Sequence, residues 1–339
     1  MTSMTAPRTP SPRRILLDVD PGIDDALAIL LALRSPEIQV EAITTVAGNV
    51  PVEKTTENAL KILELAGRRD IPVARGAAAP LQKRLELADF VHGADGLGGL
   101  RLPEPVTRPD RRPAAELIAE TVLSHPGRIT VVAVGPLTNL ATSLALAPDV
   151  QWQMRDLIVM GGAYTGGNAT SAAEFNIYTD AEAAAAVFAS GIQVTLVTLE
   201  ATRQAALRRN HVTRLKQADT PVAAAVASMA EHYIDFAEAR GCDRAALHDP
   251  LAVGLAIDPS LAKQSLSARV DVETKGELTY GQTVINWGLV RRPRIPDGDH
   301  DRLGAPEPVA PNALLPVEID GERFVELFLE RMGAGRQDG

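Results

Sequence analysis

Short runs of aliphatic and β-branched residues alternate along the chain with longer Ala- and Leu-rich segments. The runs have the length of strands, and the segments between them have the apolar spacing and length of helices. The predicted strands are residues 15–17, 40–46, 129–134, 157–160 and 194–199. The predicted helices are residues 25–33, 52–66, 114–124, 137–146, 181–188 and 221–239. This alternation predicts a single α/β domain whose central sheet is mostly parallel and carries helices on both faces.

After His248 the pattern changes. One further helical segment is followed by two predicted strands, around 268–272 and 277–284, and then by a Pro- and charge-rich stretch over 291–311. That stretch would be a lid, a linker or disordered chain. Residues 1–13 contain Thr, Ser, Pro and Arg without an apolar core, so we expect a disordered tail and no export signal. The domain is therefore expected to span 14–333.

Composition limits what the chain can bind. Its 339 residues are 45% hydrophobic, which is enough for a sizeable core, and its net charge of -9 would repel nucleic acid and anionic membranes. The longest apolar runs are far shorter than the roughly 20 residues that a membrane helix needs. Cys242 is the single cysteine, so no internal disulfide can form, and we expect a reducing cytoplasm. A small neutral or cationic ligand fits these limits.

Four acidic residues follow the first predicted strand closely: Asp18, Asp20, Asp24 and Asp25. In an open α/β sheet, the carboxyl ends of the strands border the crevice in which ligands bind. One aspartate suffices to cap the next helix, whereas the others would repel one another unless a cation neutralised them. Hard carboxylate oxygens favour Ca²⁺ or Mg²⁺ over zinc. We therefore predict a divalent cation site here rather than a solvated acidic turn.

Polar clusters follow other predicted strands. Those at 44–49 and 134–139 are weak signals, because Gly and Pro are typical of turns and Asn139 is a common helix-start residue. A third cluster contains Asn168, Glu174 and Asn176. Amide and carboxylate groups can form paired hydrogen bonds with vicinal hydroxyls, so this cluster predicts a sugar site.

Two histidines stand near such clusters. His248 could be a buried or capping imidazole, but its neighbour Asp249 opens an apolar helix and offers a further carboxylate for a cation near Asp20. His92 lies in a Gly-rich stretch, 92–99, that lacks the glycine spacing and the preceding strand of a dinucleotide-binding loop. We expect His92 to contact the ligand from a mobile loop.

Together these motifs resemble the inosine-uridine-preferring nucleoside hydrolase family. The matching pieces occur in the family's order between residues 14 and 332: Asp18-Val19-Asp20-Pro21-Gly22-Ile23-Asp24-Asp25-Ala26, Gly48-Asn49, Gly161-Gly162, Gly167-Asn168-Ala169-Thr170, Glu174-Phe175-Asn176 and His248-Asp249-Pro250. The resemblance implies a Rossmann-like nucleoside hydrolase fold, a bound Ca²⁺ and hydrolysis of the N-glycosidic bond of ribonucleosides. It also implies a homo-oligomer, either a dimer or a tetramer.

The same resemblance implies roles for individual residues. Asp20 would be the general base and a metal ligand, and His248 would protonate the leaving base. The other metal ligands would be Asp25, Asp249 and the backbone carbonyl of Val134. The ribose hydroxyls would be held by Asp24, Asn49, Asn168, Glu174 and Asn176, and His92 is a further candidate for contact with the substrate.

Physical chemistry is consistent with these roles. Breaking the bond between C1′ and the base builds positive charge on the ribose, which an acidic pocket poor in water stabilises. Calcium would lower the pKa of its bound water while Asp20 accepts the proton, and an imidazole at His248 can donate a proton to the leaving base. Attack by water from the face opposite the base predicts inversion at C1′ without a covalent intermediate.

The base preference is expected to be pyrimidine or mixed. Purine-specific members of the family stack the base between tryptophans, but Trp152 and Trp287 lie outside the segments expected to line the pocket. Tyr233 and Phe236 fall in the helix before His248, where a contact between Phe236 and the base competes with ordinary core packing.

Two other classes of protein fit part of the pattern. An Asp-x-Asp motif after an apolar strand also suits a Mg²⁺-dependent phosphatase-like hydrolase, which would release phosphate. The segment after Asp20 and the lack of a suitable lysine argue against that class. A non-catalytic ribose- or nucleoside-binding protein on the same scaffold would bind without turnover, although Asp20 and His248 leave no visible cause for inactivity.

Overall fold

The computed structural model describes residues 11–288, 292–294, 304–307 and 309–335, of which 292–294 and 304–307 are described by their backbone alone. The strands in chain order are β1 Arg13–Val19, β2 Ile38–Thr45, β3 Val73–Arg75, β4 Ile129–Ala133, β5 Asp156–Met160, β6 Val194–Val197, β7 Ala206–Leu207, β8 Ala245–Ala246, β9 Ala262–Val272, β10 Thr283–Asn286, β11 Arg292–Arg294, β12 Gly304–Glu307 and β13 Ala313–Ile319. The helices are α1 Ile23–Leu33, α2 Val52–Leu65, α3 Asp89–His92, α4 Ala114–Leu123, α5 Thr138–Leu146, α6 Val150–Gln153, α7 Phe175–Thr179, α8 Ala181–Ala189, α9 Leu199–Thr202, α10 Arg209–Gln217, α11 Pro221–Glu238, α12 His248–Ile257 and α13 Gly321–Arg331, with a short 3-10 helix over Pro259–Leu261.

A nine-stranded sheet forms the centre of the fold, in the order β10-β9-β13-β6-β5-β4-β1-β2-β3. From β13 to β3, all neighbouring strands run parallel. Only the edge formed by β9 and β10 is antiparallel. The expected single α/β domain with a mostly parallel sheet is confirmed.

Alternation of side chains within the strands divides the core into two clusters. In β1, Ile15 and Leu17 pack with residues of α1, α2, α11 and α12, whereas Leu16 packs with residues of α4, α5 and α8. Helices therefore cover both faces of the sheet, which explains why the parallel strands are apolar on both sides. The five strands predicted before His248 correspond to β1, β2, β4, β5 and β6, and the six predicted helices correspond to α1, α2, α4, α5, α8 and α11.

The sequence pattern missed several elements. β3 has only three residues, and β13 and α13 near the carboxyl end were not predicted. The strand expected at 277–284 was wrong in its first part, because residues 277–281 form a turn that ends at Gly281 with a φ of 78°. Glycine adopts such a positive φ without steric cost, and β10 begins only at Thr283.

Two predicted segments fall largely beyond the described chain. Of the expected tail, residues 1–10 lie outside the described residues, and Arg13 already belongs to β1. Within 291–311, the described residues include β11 and β12, which pair with each other antiparallel. The rest of that stretch, apart from 309–311, lies outside the described residues, so its predicted role as a lid, linker or disordered chain stays open.

The parallel strands end at one edge of the sheet. Asp20 follows β1, Asn49 lies beyond β2, Val134 follows β4 and Gly161 follows β5. The first residue of α12 is His248, and α12 packs against α1. Because the carboxyl ends of parallel strands border one crevice, the fold brings these distant segments together. In the described part of the chain, no helix has the length and apolarity needed to cross a membrane.

Candidate active site

The turn after β1 is held by the side chain of Asp25. Its two carboxylate oxygens accept hydrogen bonds from the backbone N–H groups of Asp20 at 2.9 Å and Gly22 at 3.1 Å. Asn49 joins this turn from the loop after β2: its backbone N–H donates to Oδ2 of Asp20 at 2.8 Å, and its side-chain amide donates to Oδ2 of Asp25 at 3.0 Å. Three residues predicted for the site are therefore rigidly connected to one another.

Two glycines provide the space for the Asp20 carboxylate. A Cβ atom at Gly48 would lie 2.1 Å from Oδ2 of Asp20, and one at Gly135 would lie 2.7 Å from Oδ1. These are distances that real Cβ atoms do not reach, so any side chain at either position would displace the carboxylate. The glycines that looked like turn formers in the sequence thus shape the site.

Asp18, the first of the four acidic residues, belongs to a separate buried hydrogen-bond network. It is fully buried in β1, and its Oδ1 accepts hydrogen bonds from Thr44 Oγ1 at 2.6 Å and from the side-chain amide of Asn139 at 2.8 Å. Burial raises the pKa of Asp18 from its ordinary 3.8 to about 6. Asn139, which the sequence suggested was only a helix-start residue, forms part of this buried network.

Asp24, Asp25 and Asp249 form a compact acidic cluster. Each offers a carboxylate oxygen, and these oxygens lie within 4.8 Å of one another with all three residues buried. Burial, together with the neighbouring carboxylates, raises the pKa of Asp25 to about 7 and that of Asp249 well above its ordinary range. Such a cluster is costly without a counter-charge, and its oxygen donors suit a hard divalent cation.

The remaining groups around the cluster also fit a cation. Asp20 Oδ1 and Asp24 Oδ1 are buried and have no hydrogen-bond partner within the described chain. The carbonyl oxygen of Val134, the predicted backbone ligand, accepts a 2.6 Å hydrogen bond from the Asn176 amide. A carbonyl oxygen has two lone pairs, so it can still bind a cation. Asp24, predicted only as a ribose contact, lies in the same cluster as two of the predicted metal ligands.

The predicted ribose contacts are fixed by hydrogen bonds at the start of α7. Glu174 caps this helix, accepting from the backbone N–H groups of Asn176, Ile177 and Gly162 at 2.9 to 3.1 Å. Burial raises the pKa of Glu174 to about 7. Asn168 accepts from the backbone N–H of Phe175 at 2.9 Å. These side chains are held in place before any ligand arrives.

His92 and His248 face the cluster from two different elements. His92 is buried in α3, and its Nδ1 accepts a 3.1 Å hydrogen bond from the backbone N–H of Ile23. Burial lowers the pKa of His92 to about 3, so the ring is neutral and its 3.9 Å approach to Asp24 is not an ion pair. Burial also lowers the pKa of His248, while Asp24 opposes that effect. The expected loop position of His92 was wrong, because a short helix holds it.

A cavity of about 750 Å³ opens above these groups. Of the residues predicted for the site, those that line it are Asp24, Asn49, His92, Val134, Asn168, Glu174, Asn176, His248 and Asp249. Asp20 and Asp25 are buried beneath this lining and contact it through Asn49. The structure thus brings all eleven predicted site residues to one place.

The outer wall of the cavity is aromatic and was only partly anticipated. Phe236 of α11 lines it, and its ring lies 6.4 Å from that of Phe90 on α3. The Arg240 guanidinium lies 3.6 Å above the Phe236 ring. Tyr233, one turn earlier on α11, packs 6.0 Å from the His92 ring. The spacing of residues 233 and 236 on one face of α11 was the available signal, but the same spacing is typical of core packing.

Trp152 and Trp287 lie away from this wall, as expected. Trp152 is 67% exposed on α6, and Trp287 packs edge-on against Tyr164 at 5.4 Å. Cys242 is exposed and lines the cavity.

Known proteins resemble this chain along nearly its whole length. Residues 15–326 match the family described as inosine-uridine preferring nucleoside hydrolase. The pyrimidine-specific ribonucleoside hydrolase RihA of Citrobacter koseri is 41% identical over 320 residues, which cover 94% of this chain and 97% of that protein. Among solved structures, a plant nucleoside hydrolase, PpNRh1, superposes with a TM-score of 0.85 and 36% identity over 95% of this chain and 99% of its own. A purine-preferring ribonucleoside hydrolase from Gardnerella vaginalis superposes with a TM-score of 0.84 and 32% identity over 94% and 98%.

Matches of this length and identity define the class of protein, an enzyme that hydrolyses the N-glycosidic bond of ribonucleosides. The chain belongs to the inosine-uridine preferring nucleoside hydrolase family.

Proposed function

We propose that the protein hydrolyses pyrimidine ribonucleosides to free base and ribose, with calcium bound at the acidic cluster. The observation that supports this proposal most directly is that three kinds of group lie around one cavity: buried carboxylates, amide side chains suited to sugar hydroxyls, and His248. Together they supply a proton acceptor, a proton donor and anionic surroundings for a positively charged ribose.

The ribose would lie between the acidic cluster and the start of α7. Its hydroxyls would be held by Asp24, Asn49, Asn168, Glu174 and Asn176, all of which line the cavity. Because the side chains of Asn49, Asn168, Glu174 and Asn176 already have fixed partners in the protein, they lose little freedom when the sugar binds. The carboxylates beneath the ring would stabilise the positive charge that develops as the bond to the base breaks.

The cation would be held by the side chains of Asp20, Asp25 and Asp249 and by the Val134 carbonyl. Asp24 lies within the same cluster and would contact both the cation and a ribose hydroxyl. A bound divalent cation would neutralise these carboxylates and lower the pKa of water at the site. All of the donors are hard oxygens, which supports calcium over a softer metal.

Asp20 would be the general base. Its Oδ2 accepts from the backbone N–H of Asn49, which leaves the unpartnered Oδ1 to take a proton from the attacking water. The water oxygen bonds to C1′ as the bond from C1′ to the base nitrogen breaks, so the product ribose is inverted at C1′. His248, across the cavity, would give a proton to the leaving nitrogen.

The relatives of this chain differ in their preference for the base. The Citrobacter relative is pyrimidine-specific, whereas the Gardnerella protein of similar fold is purine-preferring. The higher identity to the pyrimidine-specific protein supports a pyrimidine substrate here. So does the cavity wall, which offers Phe90 and Phe236 in place of tryptophans.

The test is release of free ribose from uridine, cytidine, inosine and adenosine by the purified protein, before and after prolonged chelation and re-addition of Ca²⁺ or Mg²⁺. We expect the two pyrimidine nucleosides to be hydrolysed faster, with activity lost on chelation and restored by calcium. Equal rates on inosine would refute the pyrimidine preference, and full activity after the metal is removed would refute the cation. Binding of all four without release of ribose would instead support the nucleoside-binding alternative.

The predicted homo-oligomer and cytoplasmic location are part of this proposal. Light scattering during size-exclusion chromatography will give the mass in solution, and a mass near the 36.0 kDa of one chain would contradict the oligomer. Fractionation of cells of the source organism, followed with an antibody to the protein, will test the location.

A further inference from the structure

A buried hydroxyl lies directly behind His248. Thr202, the last residue of α9, is fully buried, and its Oγ1 lies 2.7 Å from Nδ1 of His248. The same hydroxyl is 3.2 Å from the carbonyl oxygen of Leu199, one turn earlier in α9. Among the described residues, these are the two hydrogen-bond neighbours of the Thr202 hydroxyl.

Only one assignment of donor and acceptor lets the Thr202 hydroxyl form hydrogen bonds with both neighbours. A carbonyl oxygen only accepts, so Thr202 donates its single hydrogen to Leu199 and accepts from Nδ1–H of His248. The opposite edge of the imidazole, which carries Nε2, is then the edge left for the cavity that His248 lines. Within the described chain, Nε2 has no hydrogen-bond partner, so it is available to a ligand.

Packing alone does not decide which ring nitrogen faces a cavity. The torsion that rotates an imidazole about its Cβ–Cγ bond is broad, and a ring turned over by 180° occupies nearly the same volume. What distinguishes the two orientations is the hydrogen bond made by one nitrogen, since that bond also decides where the ring proton resides. For His248 that bond is the one that Nδ1–H donates to the Thr202 hydroxyl.

We propose that Thr202 is a positioning residue for catalysis: its hydroxyl fixes the His248 ring so that Nε2 faces the leaving base and is the nitrogen that releases the proton. The inference rests on the proposed role of His248 as the proton donor. The proton donor is the imidazolium form of His248, which carries a hydrogen on each ring nitrogen. When Nε2 gives its proton to the base nitrogen as the bond from that nitrogen to C1′ breaks, the proton on Nδ1 remains, where Thr202 continues to accept it. The same hydrogen bond therefore serves the ring before and after the transfer.

Substitutions at residue 202 separate the hydroxyl from the shape of the side chain. Thr202→Val has nearly the same volume but can neither accept nor donate, whereas Thr202→Ser keeps the hydroxyl. Each would be measured on uridine and on p-nitrophenyl β-D-ribofuranoside, whose nitrophenolate leaves without being protonated. Thermal unfolding of each variant will report on the fold, and Thr202→Ala would replace T202V if the latter did not fold.

We expect T202V to lower kcat on uridine by roughly 10- to 100-fold, because a ring that is no longer held in place loses part of the roughly 100- to 10,000-fold that a positioned proton donor contributes, with KM changed less than about 2-fold. On the nitrophenyl riboside, kcat should change less than about 2-fold, and T202S should recover most of the rate on uridine. In a His248→Ala background, T202V should add no further loss on uridine, because both changes remove the same function.

An equal loss on both substrates, or a loss that persists in the H248A background, would show that Thr202 only supports the fold. If H248A is slow on uridine but T202V is not, the proposed reaction stands and the positioning role is refuted. If H248A itself hydrolyses uridine at the wild-type rate, His248 is not the proton donor and both proposals fall.

Discussion

Asn49 donates its backbone N–H to Oδ2 of Asp20 at 2.8 Å, which leaves Oδ1 of that buried carboxylate without a partner in the described chain. One oxygen of Asp20 is therefore held by the protein, and the other is free for a cation or a water molecule. This division supports the proposed role of Asp20 as base, because a proton acceptor must be oriented and yet available.

Replacing Asp20 with Asn is expected to lower kcat by about 1,000-fold or more, since it removes the base and weakens the cation site together, with a smaller effect on the affinity for ribose. Steady-state kinetics on uridine and inhibition by ribose will measure the two effects. The matched control is Asp149→Asn, which makes the same charge change at an exposed position and should keep wild-type rates. A D20N enzyme with rates near wild type would remove Asp20 from the mechanism.

The aromatic wall is expected to bind the base rather than the sugar. Phe236→Ala should raise KM for uridine roughly 5- to 30-fold, which corresponds to the loss of one base-stacking contact of about 1–2 kcal/mol. Inhibition by free ribose should stay unchanged, because the proposed ribose contacts are polar side chains and do not include Phe236. Trp152→Ala, far from the cavity, serves as the control. A parallel loss of ribose binding would show that Phe236 supports the whole site instead.

Glu200 is expected to increase substrate affinity by holding the loop that leads to Asn168. Its Oε1 accepts from the backbone N–H groups of Tyr164 and Thr165 and from the Thr165 hydroxyl at 2.7 to 3.0 Å, and this loop leads to Asn168. Glu200→Ala should raise KM about 10-fold by loosening the loop, while Glu200→Gln retains an acceptor and should raise it less than about 3-fold. Steady-state kinetics on uridine will compare them. An unchanged KM in E200A would mean that the loop is held by other contacts, such as those to Thr283.

Asp18 is expected to make folding stability depend on pH. Burial raises its pKa from 3.8 to about 6, so the folded state binds its proton more tightly than the unfolded state does. The resulting contribution is fully present below pH 3.8 and is lost as the pH rises through about 6, with a size of about 3 kcal/mol.

Asp18→Asn cannot titrate and still offers an oxygen to Thr44 and Asn139. The difference in free energy of unfolding between D18N and wild type, measured by urea denaturation, should therefore shift in favour of D18N between pH 4 and pH 7. A difference that does not change with pH would show that Asp18 does not carry this effect.

Local features of the sequence were sufficient for the outline of the fold and for the acidic turn of the candidate site. The apolar runs of β1, β4, β5 and β6 are mostly buried on both faces, as is the second half of β2, so their pattern identifies them without knowledge of their neighbours. The acids between Asp18 and Asp25 lie within one strand-turn-helix segment, where spacing alone indicates a cation. By contrast, β3 is too short to show a period, and the core-facing pattern of β13 depends on its place between β6 and β9.

The sequence by itself thus determined the fold class and the family of this protein, and the resemblance to that family predicted the site residues. Only the tertiary structure decided that Asp24 joins the cluster of Asp25 and Asp249, that Gly48 and Gly135 make room for Asp20, and that Thr202 stands behind His248. The physical reason is the distance along the chain over which each effect acts. Periodicity and turn chemistry depend on residues a few positions apart. These contacts join segments that are far apart in the chain and that lie together only because parallel strands end at one edge of the sheet.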